Sequence, residues 1–166
     1  MSFKLRTLQE KDNEQIALLM NNKAIWDNLK DYIPFPYDVE DADSFIEFSK
    51  EHETSKSFAI EFNSILCGII TLNLQDDIYS LSAELGYWVG EEYWGKGLAT
   101  KAIAQVVQYG FSELTINRIY AGVFEHNKAS MKILEKNGFS KDCVAKKAVI
   151  KNDKILDEHR YSILKS

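Results

Sequence analysis

Residues 84–100 read Glu84-Leu85-Gly86-Tyr87-Trp88-Val89-Gly90-Glu91-Glu92-Tyr93-Trp94-Gly95-Lys96-Gly97-Leu98-Ala99-Thr100, and no other stretch limits the fold as tightly. A strand-like alternation runs into a glycine-bearing turn. From there Leu98, Ala102, Ile103, Val106, Gly110, Phe111 and Leu114 recur at three- and four-residue steps, the spacing of one helix face. A helix entered this way presents unpaired N–H groups and the positive end of its dipole above the turn. Glycine removes the Cβ that would hold an anion away from the backbone, so the junction suits a phosphate or pyrophosphate.

The rest of the chain supplies a sheet for this helix to pack on. Residues 3–6 alternate as a strand, and the helix after them carries Ile16, Leu19 and Met20 on one face. A Pro- and aromatic-rich loop at 32–37 leads to Asp38, the expected N-cap of a second helix bearing Ala42, Phe45 and Ile46. Residues 57–62 and 65–73 flank a turn at Asn63-Ser64 as a hairpin, and strands follow at 82–89 and 118–124. Asn127 opens a short helix that Gly138 closes, and residues 139–150 and 155–164 form a last hairpin. The expected fold is one α/β (α+β) domain over residues 1–166. Its sheet is mixed, mostly antiparallel and twisted, with about seven strands flanked by about four helices.

Composition narrows the partners. Hydrophobic residues at 45% and charged residues at 27% are enough for a packed core. Lys plus Arg numbers 20 against 25 Asp plus Glu, a formal charge of −5. That balance argues against nucleic acid and suits a cationic partner such as an amine. No apolar run approaches the roughly 18 residues of a membrane span. The first residues lack an apolar leader segment, so the expected location is cytoplasmic. Cys67 and Cys143 are expected as buried free thiols, and His52, His126 and His159 lack metal-ligand spacing, so no metal is expected.

Three phosphate motifs compete for the glycine turn. Gly90 to Lys96 matches the start of a Walker A loop, but Gly97 stands where a magnesium-holding Ser or Thr belongs. Gly95 to Thr100 begins like a dinucleotide fingerprint, but Thr100 replaces its third Gly or Ala. The third fits better: Trp94-Gly95-Lys96-Gly97-Leu98-Ala99 resembles the pyrophosphate loop Q/R-x-x-G-x-G/A of the GNAT superfamily of acetyl-CoA-dependent N-acetyltransferases. Trp94 departs from Gln/Arg, as in the branch resembling the RimJ/RimL ribosomal-protein N-terminal acetyltransferases. Residues 127–139, Asn127-Lys128-Ala129-Ser130-Met131-Lys132-Ile133-Leu134-Glu135-Lys136-Asn137-Gly138-Phe139, resemble that branch's second signature, N-x-x-S-x-x-x-L-E-K-x-G-F. The resemblance covers nearly the whole chain.

What it implies is transfer of an acetyl group from acetyl-CoA to a primary amine, with no metal. By resemblance, amides from Gly95 to Thr100 (Gly95, Lys96, Gly97, Leu98, Ala99, Thr100), with Trp94, hold the pyrophosphate. Trp88, Val89 and Gly90 line the pantetheine arm, with Asn127 and Lys136 as further cofactor contacts. The N–H of Val89 or a neighbour polarises the thioester carbonyl. Glu84 is the expected base, on one strand face with Gly86 and Trp88, opposite Ala83, Leu85 and Tyr87. Many members protonate the thiolate with a tyrosine where this chain has Leu134, so Ser130 is the expected acid, with Tyr87 and Tyr120 as alternatives. Trp26, Tyr32, Phe35 and Tyr37 are the expected walls of the acceptor pocket. The acceptor stays open between a protein N-terminal α-amine, ribosomal by resemblance, and a small amine (polyamine, aminosugar antibiotic or amino acid). A non-catalytic acyl-CoA-binding module is the third reading. The chain is expected as a monomer or homodimer, bound to neither nucleic acid nor membrane.

Overall fold

Alternating segments become strands where their pattern marks them. The computed structural model describes residues 2–166. Its strands are β1 (Phe3–Arg6), β2 (Ser55–Phe62), β3 (Ile65–Leu74), β4 (Ser82–Val89), β5 (Arg118–Phe124), β6 (Ser140–Lys151) and β7 (Lys154–Leu164). They join in one sheet of seven strands, ordered β1-β2-β3-β4-β5-β7-β6. Every neighbouring pair is antiparallel except β4 with β5. The tight hairpins turn at Asn63-Ser64 and Asn152-Asp153, with φ between +50° and +67°. Such left-handed pairs match the twist of the flanking strands, and Asn and Asp tolerate them.

The helices are α1 (Asn13–Met20), α2 (Lys23–Trp26), α3 (Val39–Glu51), α4 (Leu98–Glu113) and α5 (Lys128–Lys136). That is five among the described residues, in line with the expected about four. The added one, α2, is a single turn, too short to show a period, and the Asn22 side chain starts it by accepting from the Ala24 and Ile25 N–H groups. At the start of α3, Asp38 and Asp41 cap each other, side chain to backbone, at 2.9 and 3.0 Å.

Both faces of the sheet are covered. Helices α4 and α5 bury Ile70, Leu72, Ala83, Leu85 and Ile119 beneath Ala102, Ile103, Val106 and Leu134. Helices α1 to α3 bury Ala59, Leu66 and Ile69 beneath Ile16, Leu19, Ala42 and Ile46, with Trp88 packed alongside. Gly110 lets α4 settle closely, since a Cβ there would come within 3.1 Å of Leu72 and Ile119. Near the β1 edge, Arg6 donates to both Asp12 oxygens at 2.8 Å and to Glu61 at 2.5 Å, a buried network tying β1 to β2 and to the start of α1. Cys67 is a buried free thiol, but Cys143 is free and exposed, because β6 is the outermost strand of the sheet.

The parallel pair determines where a site can form. β4 and β5 are in register only at Ser82/Arg118, Ala83/Ile119 and Glu84/Tyr120. Beyond Glu84 each follows its other partner, β4 staying with β3 to Val89 and β5 with β7 to Phe124. A gap therefore opens at the sheet's centre, on the side where β4 leads into α4.

Candidate active site

The loop from β4 to α4 has the geometry an anion cradle needs. Gly95 and Gly97 adopt φ of +74° and +72°, the left-handed region that glycine enters without penalty. A Cβ at either would meet no atom within 4 Å, so the space above the loop is open. Gly97 is the N-cap of α4 and offers no side chain to the first amides, and no acidic residue lies in the first turn. Those N–H groups and the dipole of a 16-residue helix face outward together. Glu91 and Glu92 sit apart in a short 3-10 turn, and Lys96 is held outside by donating to the Glu92 carbonyl at 3.0 Å.

Hydrogen-bond alternation aims β4 into the gap. The Gly90 N–H donates to the Cys67 carbonyl of β3 at 2.8 Å, so Val89, one residue earlier, turns its N–H and C=O away from β3. The Trp94 indole donates to the Val89 carbonyl at 2.7 Å. The Val89 N–H thus points into the gap as a donor, with Trp94 steadying the peptide beside it.

Glu84 is the last β4 residue paired with β5, and it faces the α1–α3 side. Its two oxygens accept from Lys30 Nζ at 2.9 and 3.0 Å. Burial alone would lower the Lys30 ammonium, but its hydrogen bonds to Glu84, together with the Glu84 charge and nearby Tyr32 and Tyr120, hold it above the ordinary lysine range. Tyr120 lies opposite Glu84 in register, and burial followed by the Glu84 charge pushes its hydroxyl upward. A Cβ on Gly86 would meet nothing within 4 Å, so the face of β4 stays open from Glu84 toward Trp88. There it joins a cleft of about 280 Å³ walled by Ile16, Met20, Tyr32, Tyr37, Phe45 and Trp88, with Asp41 at its rim. Burial, then the Asp41 and Asp38 charges, push the Tyr37 hydroxyl up to about 12.

The opposite face carries a hydroxyl pair. Tyr87 Oη lies 2.6 Å from Ser130 Oγ, linking β4 to the first turn of α5. Burial pushes Tyr87 up to about 12, against the opposing pull of Ser130. Asn127 caps α5 by accepting from the Ser130 N–H at 3.2 Å, which fixes the serine's place. Glu84 and the hydroxyl pair therefore approach the gap from opposite sides of β4, as its alternation requires. Tyr120, on the Glu84 face, is separate from Ser130.

The structure divides the remaining candidates. Tyr32 and Tyr37 line the cleft. Trp26 and Phe35 do not; they stack on each other at 5.3 Å, with Lys151 Nζ 3.3 Å over the Trp26 ring. Lys151 of β6 thereby fastens Trp26 to the β6–β7 hairpin, while Phe35 stays 40% exposed. Lys136 is exposed at the far end of α5, roughly 13 Å along the axis from Asn127 at 1.5 Å per residue. Lys30 was the residue missed, since nothing in its local sequence marks a partner 54 residues away. Among the described residues no group of three His, Cys, Asp or Glu could hold a metal ion. No helix there is long and apolar enough to cross a membrane.

Known proteins share this fold. Residues 3–140 match the family described as the acetyltransferase (GNAT) domain. The uncharacterized N-acetyltransferase YoaA of Bacillus subtilis (strain 168) is 31% identical over 97% of this chain and 92% of its own length. The spermidine N(1)-acetyltransferase of Escherichia coli (strain K12) is 28% identical over 84% of this chain and 73% of its own. The crystal structure of the microcin C7 self-immunity acetyltransferase MccE, in complex with acetyl-CoA and AMP, superposes with a TM-score of 0.86. It is 29% identical and covers 98% of this chain and 92% of that one. RimL, a ribosomal L7/L12 α-N-protein acetyltransferase in complex with coenzyme A, shares the fold with a TM-score of 0.88. Its identity is 20%, over 99% of this chain and 94% of that one.

Proposed function

The chain belongs to the GNAT acetyltransferase family, and from that premise we propose that it moves an acetyl group from acetyl-CoA to the α-amine of a polypeptide whose first side chain is apolar. The observation that carries this reading is the open face of β4, which joins Glu84 past Gly86 to an aromatic cleft with one carboxylate at its rim. That carboxylate, Asp41, already accepts from the Asp38 N–H, so the cleft suits an apolar group better than a second ammonium. An α-amine with pKa near ~8 is about a tenth neutral at pH 7, whereas a side-chain amine near ~10.4 is far less so. A carboxylate base therefore serves the former more readily.

The residues divide the work by position. The glycine cradle and the amides at the start of α4 fit a diphosphate, and the gap between β4 and β5 fits a peptide-like arm that pairs with β4 as an added strand. When bound, acetyl-CoA supplies the activated acetyl group. The Val89 N–H points where a carbonyl oxygen in the gap would develop charge. Glu84 takes the proton from the incoming ammonium. Tyr87, at about 12, lies some 3.5 units above a thiol near ~8.5, so outright transfer from it would be uphill by roughly 5 kcal/mol. Tyr87 instead orients Ser130, whose hydroxyl donates a hydrogen bond to the leaving sulfur while solvent supplies the proton.

A second acceptor reading, a polyamine, is favoured by the spermidine acetyltransferase of Escherichia coli. Thiol-release kinetics separate the two. Peptides with a free apolar N-terminal residue are expected to give the highest kcat/KM, above N-terminally blocked lysine peptides and spermidine. Turnover of spermidine with no turnover of any peptide would overturn the first reading.

A further inference from the structure

We propose that Glu158 gives the acceptor site a second specificity, selecting a lysine or arginine as the second residue of the polypeptide. The inference rests on the α-amine reading above and concerns a cavity to which that reading assigns nothing. This cavity holds about 320 Å³, with apolar walls at Leu29, Phe124 and Val149 and the Glu158 carboxylate in its lining.

Gly122 lies inside β5, where a glycine weakens a strand unless something must approach the backbone closely. It is not among the glycines of positive φ, so its conformation alone does not call for one. A Cβ there would come within 2.4 Å of Glu158 Oε1 and 2.8 Å of its Cδ, so the carboxylate lies on the strand in room that only glycine leaves. Arg160 donates to the other oxygen, Oε2, at 2.8 Å. Among the described residues Oε1 has no hydrogen-bond partner, and it is not sealed from the cavity. The two lysines at the cavity are each offset by an acid, Lys30 by Glu84 and Lys151 by Asp31. A free carboxylate oxygen in an otherwise apolar hollow suits a long side chain with a cationic head. Its methylenes lie against the walls, and the ammonium or guanidinium donates to Oε1.

The cavity is also in the right place. Counting four residues on from the Glu84/Tyr120 pair sets Phe124 across the gap from Trp88, beside Val89. Trp88 walls the aromatic cleft and Phe124 walls the second cavity, so the two flank the gap at the level of the Val89 N–H. One loop serves both, residues 29–31 lining this cavity and residues 32–34 the cleft. Successive side chains of an extended chain point opposite ways. A polypeptide with its α-amine at the gap therefore turns its first side chain into the cleft and its second toward Glu158.

The test is thiol-release kinetics with peptides that share an apolar first residue and carry lysine, norleucine or glutamate second. Norleucine keeps the methylenes of lysine and lacks the ammonium. The lysine peptide is expected to give a kcat/KM about 10-fold above the norleucine peptide, the size of one hydrogen bond to a charged group, with glutamate below both. The difference is expected in KM, because the head group binds away from the reacting bond. In Glu158→Gln the lysine-to-norleucine ratio falls to about one. Gly122→Ala lowers the same ratio while keeping the carboxylate, because the new Cβ lifts it off the strand. Equal kcat/KM for lysine and norleucine peptides, in a chain that acetylates both, would overturn this inference alone. Turnover of spermidine with no turnover of any peptide would take the underlying reading with it.

Discussion

Gly97→Glu probes the anion cradle where its geometry is most specific. Gly97 caps α4 at φ +72°, and a Cβ there has no neighbour within 4 Å, so the variant folds without a clash. Its penalty in the free protein is the left-handed conformation of a non-glycine residue, roughly 1–2 kcal/mol. In a chain of this size that lowers Tm by about 2–8 °C. In the complex, the new carboxylate faces a diphosphate. Two unit charges about 5 Å apart repel by roughly 0.8 kcal/mol in water and by about 3.3 kcal/mol at an effective permittivity near 20. Because residues 94–97 are exposed, the lower half of that range applies, a weakening of about 4- to 30-fold for each charge pair. Gly97→Ala carries the same backbone strain without the charge. Titration calorimetry with acetyl-CoA should give a higher Kd for Gly97→Glu than for Gly97→Ala. The difference should shrink in about 1 M salt, where the screening length falls to about 3 Å. Identical Kd values for wild type and both folded variants would refute the cradle.

Glu84→Gln should reduce kcat by about 10²–10⁴ while leaving acetyl-CoA affinity within a factor of about two. Equal rates of variant and wild type across about pH 6 to 9 would remove Glu84 from the chemistry. Tyr87→Phe and Ser130→Ala each break the 2.6 Å hydroxyl pair and should cost about 1 kcal/mol of stability. If Tyr87 acts through Ser130, the double variant's kcat will fall no further than that of Ser130→Ala, and strictly multiplicative losses would disprove the link. Arg6→Met removes the cation from Asp12, which keeps only the Gln9 N–H, and one of two cations from Glu61, which keeps Lys4 at 3.1 Å, and should destabilise the chain by about 1.5–3 kcal/mol in urea titrations at neutral pH. Burial works to raise Asp12, but hydrogen bonds from Arg6 and the Gln9 N–H, with the Arg6 charge, hold it below the usual range, and the Arg6 guanidinium lowers Glu61. The stability these carboxylates contribute is present above about pH 4 and lost as pH falls through their depressed values. The variant should therefore lose stability less steeply on acidification, and a slope equal to wild type would count against the network.

Local chemistry made the centre of the molecule readable. Period-two alternation placed Glu84 and Tyr87 on opposite faces of β4, and the left-handed demand at Gly95 and Gly97 matched the residues present. Strands 82–89 and 118–124 have the bounds their pattern marks. What could not be read depends on contacts between distant residues. Lys30 meets Glu84 across 54 residues, Tyr87 meets Ser130 across 43, and Lys151 reaches Asp31 across 120. The aromatic residues of the 26–37 stretch look alike in sequence. Only tertiary packing stacks Trp26 on Phe35, with Lys151 of β6 over the Trp26 ring, and leaves Tyr32 and Tyr37 to the cleft. A four-residue helix such as α2 has no period to detect.

The two covered faces of the sheet have a consequence for how such a chain can change. In the proposed function the parts that would hold the donor come from the second half, between β4 and α5, while the walls that would choose an amine come mostly from residues 16–45. They meet along a single strand. Exchanging the early helices and their loop can thus alter which molecule is modified without rebuilding the grip on the donor.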